Sequence, residues 1–184
     1  VARCIRRMLK PGDHFIDGGA NLGYFTLLAA QCVGEHGRVD AFEPQPANFA
    51  RLEANVARNG PLRQVHLHPY ALTDAPGTVT MHMPPPSQGN HGCASLYGDG
   101  EPTTATAVRL DDHLPDARPK LIKLDVEGAE AIALRGALRL LAEARPALII
   151  EHNPESAALA GDHWMQSLPP ARVHRLTAWG KRDR

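Results

Sequence analysis

The sequence predicts an α/β fold built on a mainly parallel sheet. Short apolar runs alternate along the chain with segments of helical periodicity, which is the order of a sheet whose strands are joined by helices. A glycine-rich stretch, residues 17–23, joins the first apolar run to the first helical segment, as in doubly wound folds. We therefore expect a single domain over residues 1–184, with its core in 12–153.

The first half of the chain contains the clearest units. The apolar run at 14–17 predicts a buried strand, and apolar positions recurring over 21–33 predict the helix after it. A second unit repeats this order, with a strand at 38–42 and a helix at 47–58, where Pro44 and Pro46 mark the helix start and Asn59-Gly60 its end. A third strand is predicted at 65–70.

The second half continues the pattern with one interruption. Residues 84–102 are rich in proline, glycine, serine and asparagine, and a loop of this length is typical either of a functional lid or of a disordered segment. We expect it to form a lid over the acceptor pocket. The remaining predicted elements are strand-like segments at 78–83 and 104–110, forming an antiparallel excursion, strands at 119–125 and 146–151 around a helix at 129–144, and a tail with a helix at 155–167 and a strand at 172–179.

Composition limits the classes of partner. Twenty basic residues balance twenty acidic ones, so net charge does not favour nucleic acid or an anionic membrane. No apolar run approaches the roughly 20 residues that span a bilayer, and no signal-peptide pattern opens the chain. Cys4, Cys32 and Cys93 are odd in number and widely spaced, which argues against a disulfide framework. We expect a soluble cytoplasmic protein without nucleic-acid partners or a membrane span; the oligomeric state is not predicted.

The glycine-rich stretch predicts a nucleotide-like ligand. An acid, glycines and then a helix place backbone N–H groups at a helix N-terminus, where glycine lets a ligand approach closely. Glu43 follows the second strand, where a carboxylate can accept hydrogen bonds from ribose hydroxyls. Dinucleotides and S-adenosylmethionine both fit this arrangement. Ala20 replaces the second glycine of the dinucleotide pattern and Asp17 adds a negative charge, which favours S-adenosylmethionine, with its ammonium group.

Several stretches together resemble the FkbM family of S-adenosylmethionine-dependent methyltransferases. They are FIDGGANLGYFTLLAA, VDAFEPQPANFARLEANVARNG, HPYALTDAPGTV, VRLDDHLP and LIKLDVEGAEAIALRGALRLL with RPALIIEHN, covering about residues 12–153; KLDVEGAE, residues 123–130, is the most specific. The resemblance implies a class I methyltransferase (Rossmann-like) fold, doubly wound, with an antiparallel C-terminal edge. It also implies methyl transfer to a hydroxyl of a sugar, glycolipid or natural product.

The resemblance also assigns cofactor-binding residues. YALTD matches the segment that usually passes the adenine, which makes the Ala71 backbone and the Asp74 side chain candidates for its edge, although Asp74 could instead cap a turn. The full set of candidate cofactor-binding residues is Asp17, Gly18, Gly19, Asn21, Gly23, Glu43, Ala71, Asp74 and Asp125.

Catalytic candidates lie where two predicted strands end, because open α/β sheets bind ligands at the carboxyl ends of their strands. Lys123 and Asp125 point to one face of a strand, so Asp125 and Glu151 can converge across neighbouring strand ends. One hypothesis has Asp125, Glu151 and Asn153 bind Mg²⁺. Its rival pairs Lys123 with Asp125 and leaves Glu151 or His152 as a base without metal. The candidate catalytic residues are Lys123, Asp125, Glu151 and His152.

Other interpretations remain open from sequence. An NAD-dependent oxidoreductase and a non-catalytic Rossmann-like binding module are the alternatives to a methyltransferase. Glu127 and Glu130, at the start of a helix, are expected mainly to complement its dipole. Most of the ten histidines are expected to be solvated.

Overall fold

The computed structural model describes residues 1–83 and 100–151. Eight strands and six helices lie in these ranges. The strands are β1 His14–Gly18, β2 Arg38–Phe42, β3 Val65–His68, β4 Ala71–Leu72, β5 Gly77–Met83, β6 Glu101–Val108, β7 Leu121–Leu124 and β8 Ala147–Ile150. The helices are α1 Ala2–Met8, α2 Tyr24–Val33, α3 Pro46–Arg58, α4 Leu110–His113, α5 Glu130–Arg135 and α6 Leu138–Ala144.

Five strands form a central sheet in the order β3-β2-β1-β7-β8, and every neighbouring pair within it is parallel. The chain moves outward from β1 through β2 and β3, then returns to β7 on the other side of β1 and continues to β8. The carboxyl ends of β1 and β7 therefore mark the point where the strand order reverses, which is where open α/β sheets form a ligand crevice. The predicted parallel, doubly wound sheet is confirmed.

Both faces of this sheet are covered, as alternation along its strands requires. Phe15 and Leu121 face the layer that contains α1 and α2, where they join one buried apolar cluster. Ile16, Ile122 and Leu124 face the opposite layer, where α4, α5 and α6 supply a second cluster. The sheet is thus the middle of three layers, and only its strand ends are left to form a site.

A second sheet of three strands has the order β4-β6-β5. β5 and β6 pair antiparallel from Gly77 opposite Ala107 to Met83 opposite Glu101, which confirms the predicted antiparallel excursion. Strand β6 begins at Glu101, so the last two residues of the predicted 84–102 loop are extended; 84–99 lie outside the described residues, as do the predicted tail elements and C-terminal edge.

The predicted helix at 129–144 is wrong as a single element, because it is divided into α5 and α6 at Gly136. The backbone of Thr73 packs so closely there that a Cβ on Gly136 would lie 1.9 Å from the Thr73 carbonyl oxygen. The buried carboxylate of Asp111 then caps the new helix start by accepting hydrogen bonds from the backbone N–H groups of Arg139 and Leu140. Helices α1 and α4 and strand β4 were not predicted.

Of the helices in the described part of the chain, none combines the length and the apolar character needed to cross a membrane.

Candidate active site

A cavity of about 380 Å³ opens at the carboxyl ends of β1, β2 and β7. Its volume is in the range of small-molecule sites. Both backbone loops and side chains form its wall. The lining residues are Gly19, Ala20, Asn21, Leu22, Tyr24, Phe25, Phe42, Glu43, Pro44, Tyr70, Ala71, Leu72, Met81, Lys123, Asp125, Val126, Glu127 and Ala129.

The glycine loop between β1 and α2 needs its glycines for two different reasons. Gly19 has φ +72°, and a Cβ there would lie 1.9 Å from the backbone oxygen of Asp125, so the loop can pass β7 only without a side chain. Gly18 and Gly23 instead make room for core packing, against Leu124 and Leu52 respectively. Of the three predicted glycines, only Gly19 lines the cavity.

Glu43, after β2, is a buried acid in the cavity wall, 6% exposed. Its Oε2 accepts a hydrogen bond from the backbone N–H of Asn21 at 2.8 Å, and its Oε1 accepts one from Gln45 N–H at 3.0 Å. Burial raises the pKa of Glu43, while these two backbone hydrogen bonds oppose the shift. The Asn48 side chain also hydrogen bonds to Glu43. A carboxylate has about four acceptor sites, so Glu43 is held in place with acceptor capacity left for a ligand.

Asp17 lies beneath the glycine loop and not in the cavity wall. It is 0% exposed and accepts a hydrogen bond from Thr26 Oγ1 at 2.7 Å. Its other oxygen, Oδ1, accepts no aligned hydrogen bond from the described residues, but Lys123 Nζ lies 3.2 Å away and supplies a compensating charge. Burial, opposed by Lys123, raises the pKa of Asp17. The expected contact between Asp17 and a cofactor ammonium remains a prediction.

Lys123 is a buried cation, 2% exposed, whose Nζ is surrounded by acceptors. Besides Asp17, it lies 3.4 Å from Asp125 Oδ2 and donates to the backbone oxygens of Gly18 and Gly19 at 3.4 and 3.1 Å. The predicted pairing of Lys123 with Asp125 is confirmed. Because Lys123 bonds both to the loop and to the acids, it ties the glycine loop to the end of β7.

Three carboxylates meet at the ends of β7 and β8. Asp125, Glu127 and Glu151 each bring an oxygen within 4.8 Å of the other two, which confirms the expected convergence of Asp125 and Glu151. A hydrogen bond with Asp125, then burial, then repulsion from neighbouring acids raise the pKa of Glu151 to about 7. Such a cluster can share a proton or hold a cation. His152 and Asn153, also predicted here, lie outside the described residues.

Glu130 has a more specific role than the expected complement to a helix dipole. Its side chain is buried, and its Oε1 accepts hydrogen bonds from the backbone N–H groups of Val126 and Gly128 at 3.0 and 3.2 Å. Glu127, between them, has φ +50°, a strained conformation for a residue with a side chain. Glu130 therefore stabilises the turn that presents Glu127 to the cavity.

Of the two residues predicted at the adenine edge, one lies in the cavity wall and the other does not. Ala71 lines the cavity. Asp74 does not line it, and its Oδ2 accepts a hydrogen bond from Arg135 Nε at 2.9 Å on the surface. The sequence interpretation missed the aromatic part of the wall, formed by Tyr24, Phe25, Phe42 and Tyr70. Tyr24 and Phe25 follow Gly23 directly, so their place next to the glycine loop was the available signal.

The parallel sheet with its glycine loop and a strand-end acid defines a nucleotide-binding α/β domain of the class I methyltransferase type. The sequence matches the Methyltransferase FkbM domain over residues 17–176, and the chain belongs to that family. The suspected resemblance is therefore confirmed.

Curated relatives share about a third of the aligned residues. Methyltransferase 1 of Beauveria bassiana is 31% identical over 158 residues, covering 74% of this chain and 63% of the relative. The 31-O-demethyl-FK506 methyltransferase FkbM of Streptomyces tacrolimicus is 32% identical over 162 residues, covering 70% and 60%. Hexuronic acid methyltransferase AglP of Haloferax volcanii is 27% identical over 136 residues, covering 74% and 54%. The chain thus spans less than two thirds of the length of these relatives.

Solved structures show the same fold. Methyltransferase FkbM from Methylobacillus flagellatus superposes with a TM-score of 0.62 at 19% identity, covering 92% of this chain and 45% of that one. A SAM-dependent O-methyltransferase from Thermotoga maritima superposes with a TM-score of 0.53 at 17% identity, covering 91% and 49%. At these identities the likeness concerns the fold alone, and it agrees with the predicted class I methyltransferase fold.

Proposed function

We propose that this chain is an S-adenosylmethionine-dependent methyltransferase that methylates a hydroxyl oxygen of a sugar, glycolipid or natural product. The observation that carries the proposal is the convergence of the glycine loop, Glu43 and Asp125 on one cavity, with Glu151 beside Asp125, in a chain of the FkbM family. Two relatives act, by name, on 31-O-demethyl-FK506 and on hexuronic acid. Family membership counts against the oxidoreductase and binding-module alternatives.

The cavity suits a cationic adenosyl ligand. Glu43 would accept hydrogen bonds from the ribose hydroxyls, and the loop from Gly19 to Asn21 would lie along the ligand. Glu43, Asp125 and Glu127 line the wall together with a single described cation, Lys123, so the wall carries net negative charge. That sign favours a ligand bearing sulfonium and ammonium groups over a pyrophosphate.

The reaction needs an acceptor oxygen held in line with the transferred methyl group and a group that takes the hydroxyl proton. Bound S-adenosylmethionine supplies an electrophilic methyl group on sulfur. Asp125, in the cavity wall, would orient the hydroxyl, and Glu151, beside Asp125 at the end of β8, would take the proton. Positioning of this kind supplies roughly 7 to 11 kcal/mol in favourable cases, and general base assistance contributes about 100- to 10,000-fold.

The same carboxylates also support a second arrangement. Asp125, Glu127 and Glu151 offer oxygen ligands of the type that Mg²⁺ prefers. A cation held there would coordinate the acceptor hydroxyl and lower its pKa, so that Glu151 would serve as a ligand and not as the base. We favour the base without metal, because Lys123 already neutralises part of the charge on Asp125.

Two measurements test the proposed function. Calorimetry with S-adenosylmethionine and with NAD should show binding of the first in preference; preferential NAD binding would overturn the proposal. Transfer of a labelled methyl group to panels of sugar, glycolipid and polyketide hydroxyls should then identify the acceptor class. A parallel panel of amines is the control, and transfer to nitrogen acceptors alone would contradict the assignment to oxygen.

A further inference from the structure

A hydrogen-bonded chain of side chains runs along one face of the sheet, beside the cavity. Asp40 in β2 is fully buried, and its carboxylate accepts hydrogen bonds from His14 Nε2 at 2.7 Å, His68 Nε2 at 2.8 Å and Arg38 Nε at 2.6 Å. The other ring nitrogen of His68, Nδ1, lies 3.1 Å from Nε2 of His113 in α4. The expectation of solvated histidines does not hold for these three rings.

The charge of Asp40 determines which nitrogen of each ring carries a proton. Burial alone would raise the pKa of Asp40, but hydrogen bonds from His14, His68 and Arg38 outweigh it and lower the pKa well below its usual range. An ionised carboxylate only accepts hydrogen bonds, so His68 Nε2 must carry a proton. In the neutral ring of His68 the Nδ1 atom is then an acceptor, and His113 donates to it from Nε2.

This arrangement limits how many protons the pair can take up. One added proton can bind to the free Nδ1 of His113, which leaves the hydrogen bond from His113 Nε2 to His68 Nδ1 in place. A second would point two N–H groups at each other across 3.1 Å and place two positive charges side by side. Burial, followed by the proximity of His68, lowers the pKa of His113.

Both rings support the wall of the cavity. His68 stacks on Phe42 with ring centroids 4.4 Å apart, and His113 contacts the ring of Tyr70 edge-on at 5.1 Å. Phe42 and Tyr70 are both lining residues. A displacement of His113 from His68 would therefore move the aromatic side of the cavity.

We propose that His68 and His113 are positioning residues that hold Phe42 and Tyr70 in place, and that uptake of a second proton by the pair weakens cofactor binding. This inference rests on the proposed function, because it takes the cavity to be the cofactor site. The charged and titratable groups that surround the pair are His14 on β1, Arg38 and Asp40 on β2, His66 on β3, Tyr70, and, on and beside α4, Arg109, Asp111 and Asp112, with Arg139 bonded to Asp111.

The test compares wild type with His113→Gln, whose amide N–H₂ can still donate to His68 Nδ1 but does not titrate. Calorimetry with S-adenosylmethionine at about pH 7.5 and about pH 5 brackets the titration of histidine. The Kd of wild type should rise at least about threefold more than that of His113→Gln on acidification. His36→Gln, a change to an exposed histidine outside the chain of hydrogen bonds, should behave as wild type. Equal rises in wild type and His113→Gln would overturn the inference.

Two further readouts separate this inference from the proposed function. Unchanged cofactor affinity in folded Glu43→Ala would remove Glu43 from the site, and with it a main support for the cavity as the cofactor site. The Tm of the ligand-free protein tests the His68–His113 pair independently of where the cofactor binds. In the unfolded chain His113 takes up a proton near its ordinary pKa of 6.5, whereas burial in the folded protein lowers that pKa. Wild type should therefore lose stability below that pH more steeply than His113→Gln. Parallel profiles of Tm against pH for wild type and His113→Gln would count against the proposed role of the His68–His113 pair.

Nitrogen-15 NMR of wild-type histidines keeps the inference testable even if His113→Gln does not fold. In the neutral form of the His68 ring, the proton is expected on Nε2. A neutral His68 that carries its proton on Nδ1 would overturn the inference.

Discussion

Lys123 Nζ lies 3.2 Å from Asp17 Oδ1 beneath the glycine loop, and both side chains are almost completely shielded from solvent. The register of the sheet explains this, because Asp17 in β1 is directly opposite Lys123 in β7. The acid of the glycine-loop motif is therefore coupled to the lysine of the KLD segment across two strands. This buried ion pair therefore connects the glycine loop to β7 next to the cavity wall.

Replacing one partner of this pair should destabilise the protein strongly. Lys123→Met leaves Asp17 buried without its cation, and breaking a buried pair from one side typically costs about 3–5 kcal/mol in free energy of unfolding. The double variant Asp17→Asn/Lys123→Met should recover most of the loss, which urea unfolding can measure. Lys120→Met, at an exposed neighbouring position, should change stability little. A double variant as unstable as Lys123→Met would contradict the ion-pair argument.

Gly19→Ala should be far more damaging than an alanine at another glycine of positive φ. Gly60 has φ +92°, and a Cβ there would have no neighbour within 4 Å, so Gly60→Ala should cost only the backbone term, about 1–2 kcal/mol. Gly19→Ala adds a collision with the Asp125 backbone, and it should lower both stability and cofactor affinity. Thermal unfolding and calorimetry measure the two effects; equal losses in the two variants would show that the loop can move away from β7.

Glu43→Ala should weaken S-adenosylmethionine binding by about 2 kcal/mol or more, since a hydrogen bond to a charged group contributes roughly 1.5–3 kcal/mol. Calorimetry measures the affinity, and circular dichroism checks that the variant is folded. Glu53→Ala, which removes an exposed acid of α3, is the matched control. Unchanged affinity in folded Glu43→Ala would remove Glu43 from the site.

Glu151→Gln should raise the stability of the ligand-free protein in mildly alkaline solution. The pKa of Glu151 is raised to about 7, so the proton that relieves its repulsion with Asp125 is bound at low pH and lost as pH rises through 7. The unfolded chain releases this proton near pH 4.5, so wild type loses stability relative to the glutamine variant as pH rises from about 4.5 to about 7. The Tm values of wild type and variant should therefore converge below about pH 4.5, separate between about pH 4.5 and 7, and stay separated above pH 7. Glu35→Gln, an exposed acid far from the cluster, should show no such divergence.

Chelation should leave methyl transfer intact if Glu151 acts as a base without metal. Activity would be measured in excess EDTA and again after Mg²⁺ is restored. Activity lost in EDTA and regained with Mg²⁺ would transfer the assignment to the cation arrangement of Asp125, Glu127 and Glu151. His152 and Asn153 remain predictions in either arrangement.

The sequence predicted most strands and helices because their signals are local. The apolar run before the glycines and the predicted strand at 38–42 each depend on neighbours a few residues apart, and both strands form as expected. Helix 129–144 failed for the opposite reason. What divides it is the close approach of the Thr73 backbone to Gly136, a contact between segments about sixty residues apart that no local pattern encodes.

The residues of the candidate site also fall into two groups, those that the sequence predicted and those whose contacts only the tertiary structure decided. By itself the sequence determined the glycine loop, Glu43 and the acids at the strand ends, because these positions follow from where each strand stops. Tertiary structure alone decided that Asp17 faces Lys123 beneath the loop, that Asp74 pairs with Arg135 at the surface, and that His68 meets His113 beside Phe42. Each of these depends on the register and packing of elements distant in sequence, and a pattern of residue types does not specify which way a polar side chain turns until its partners are in place.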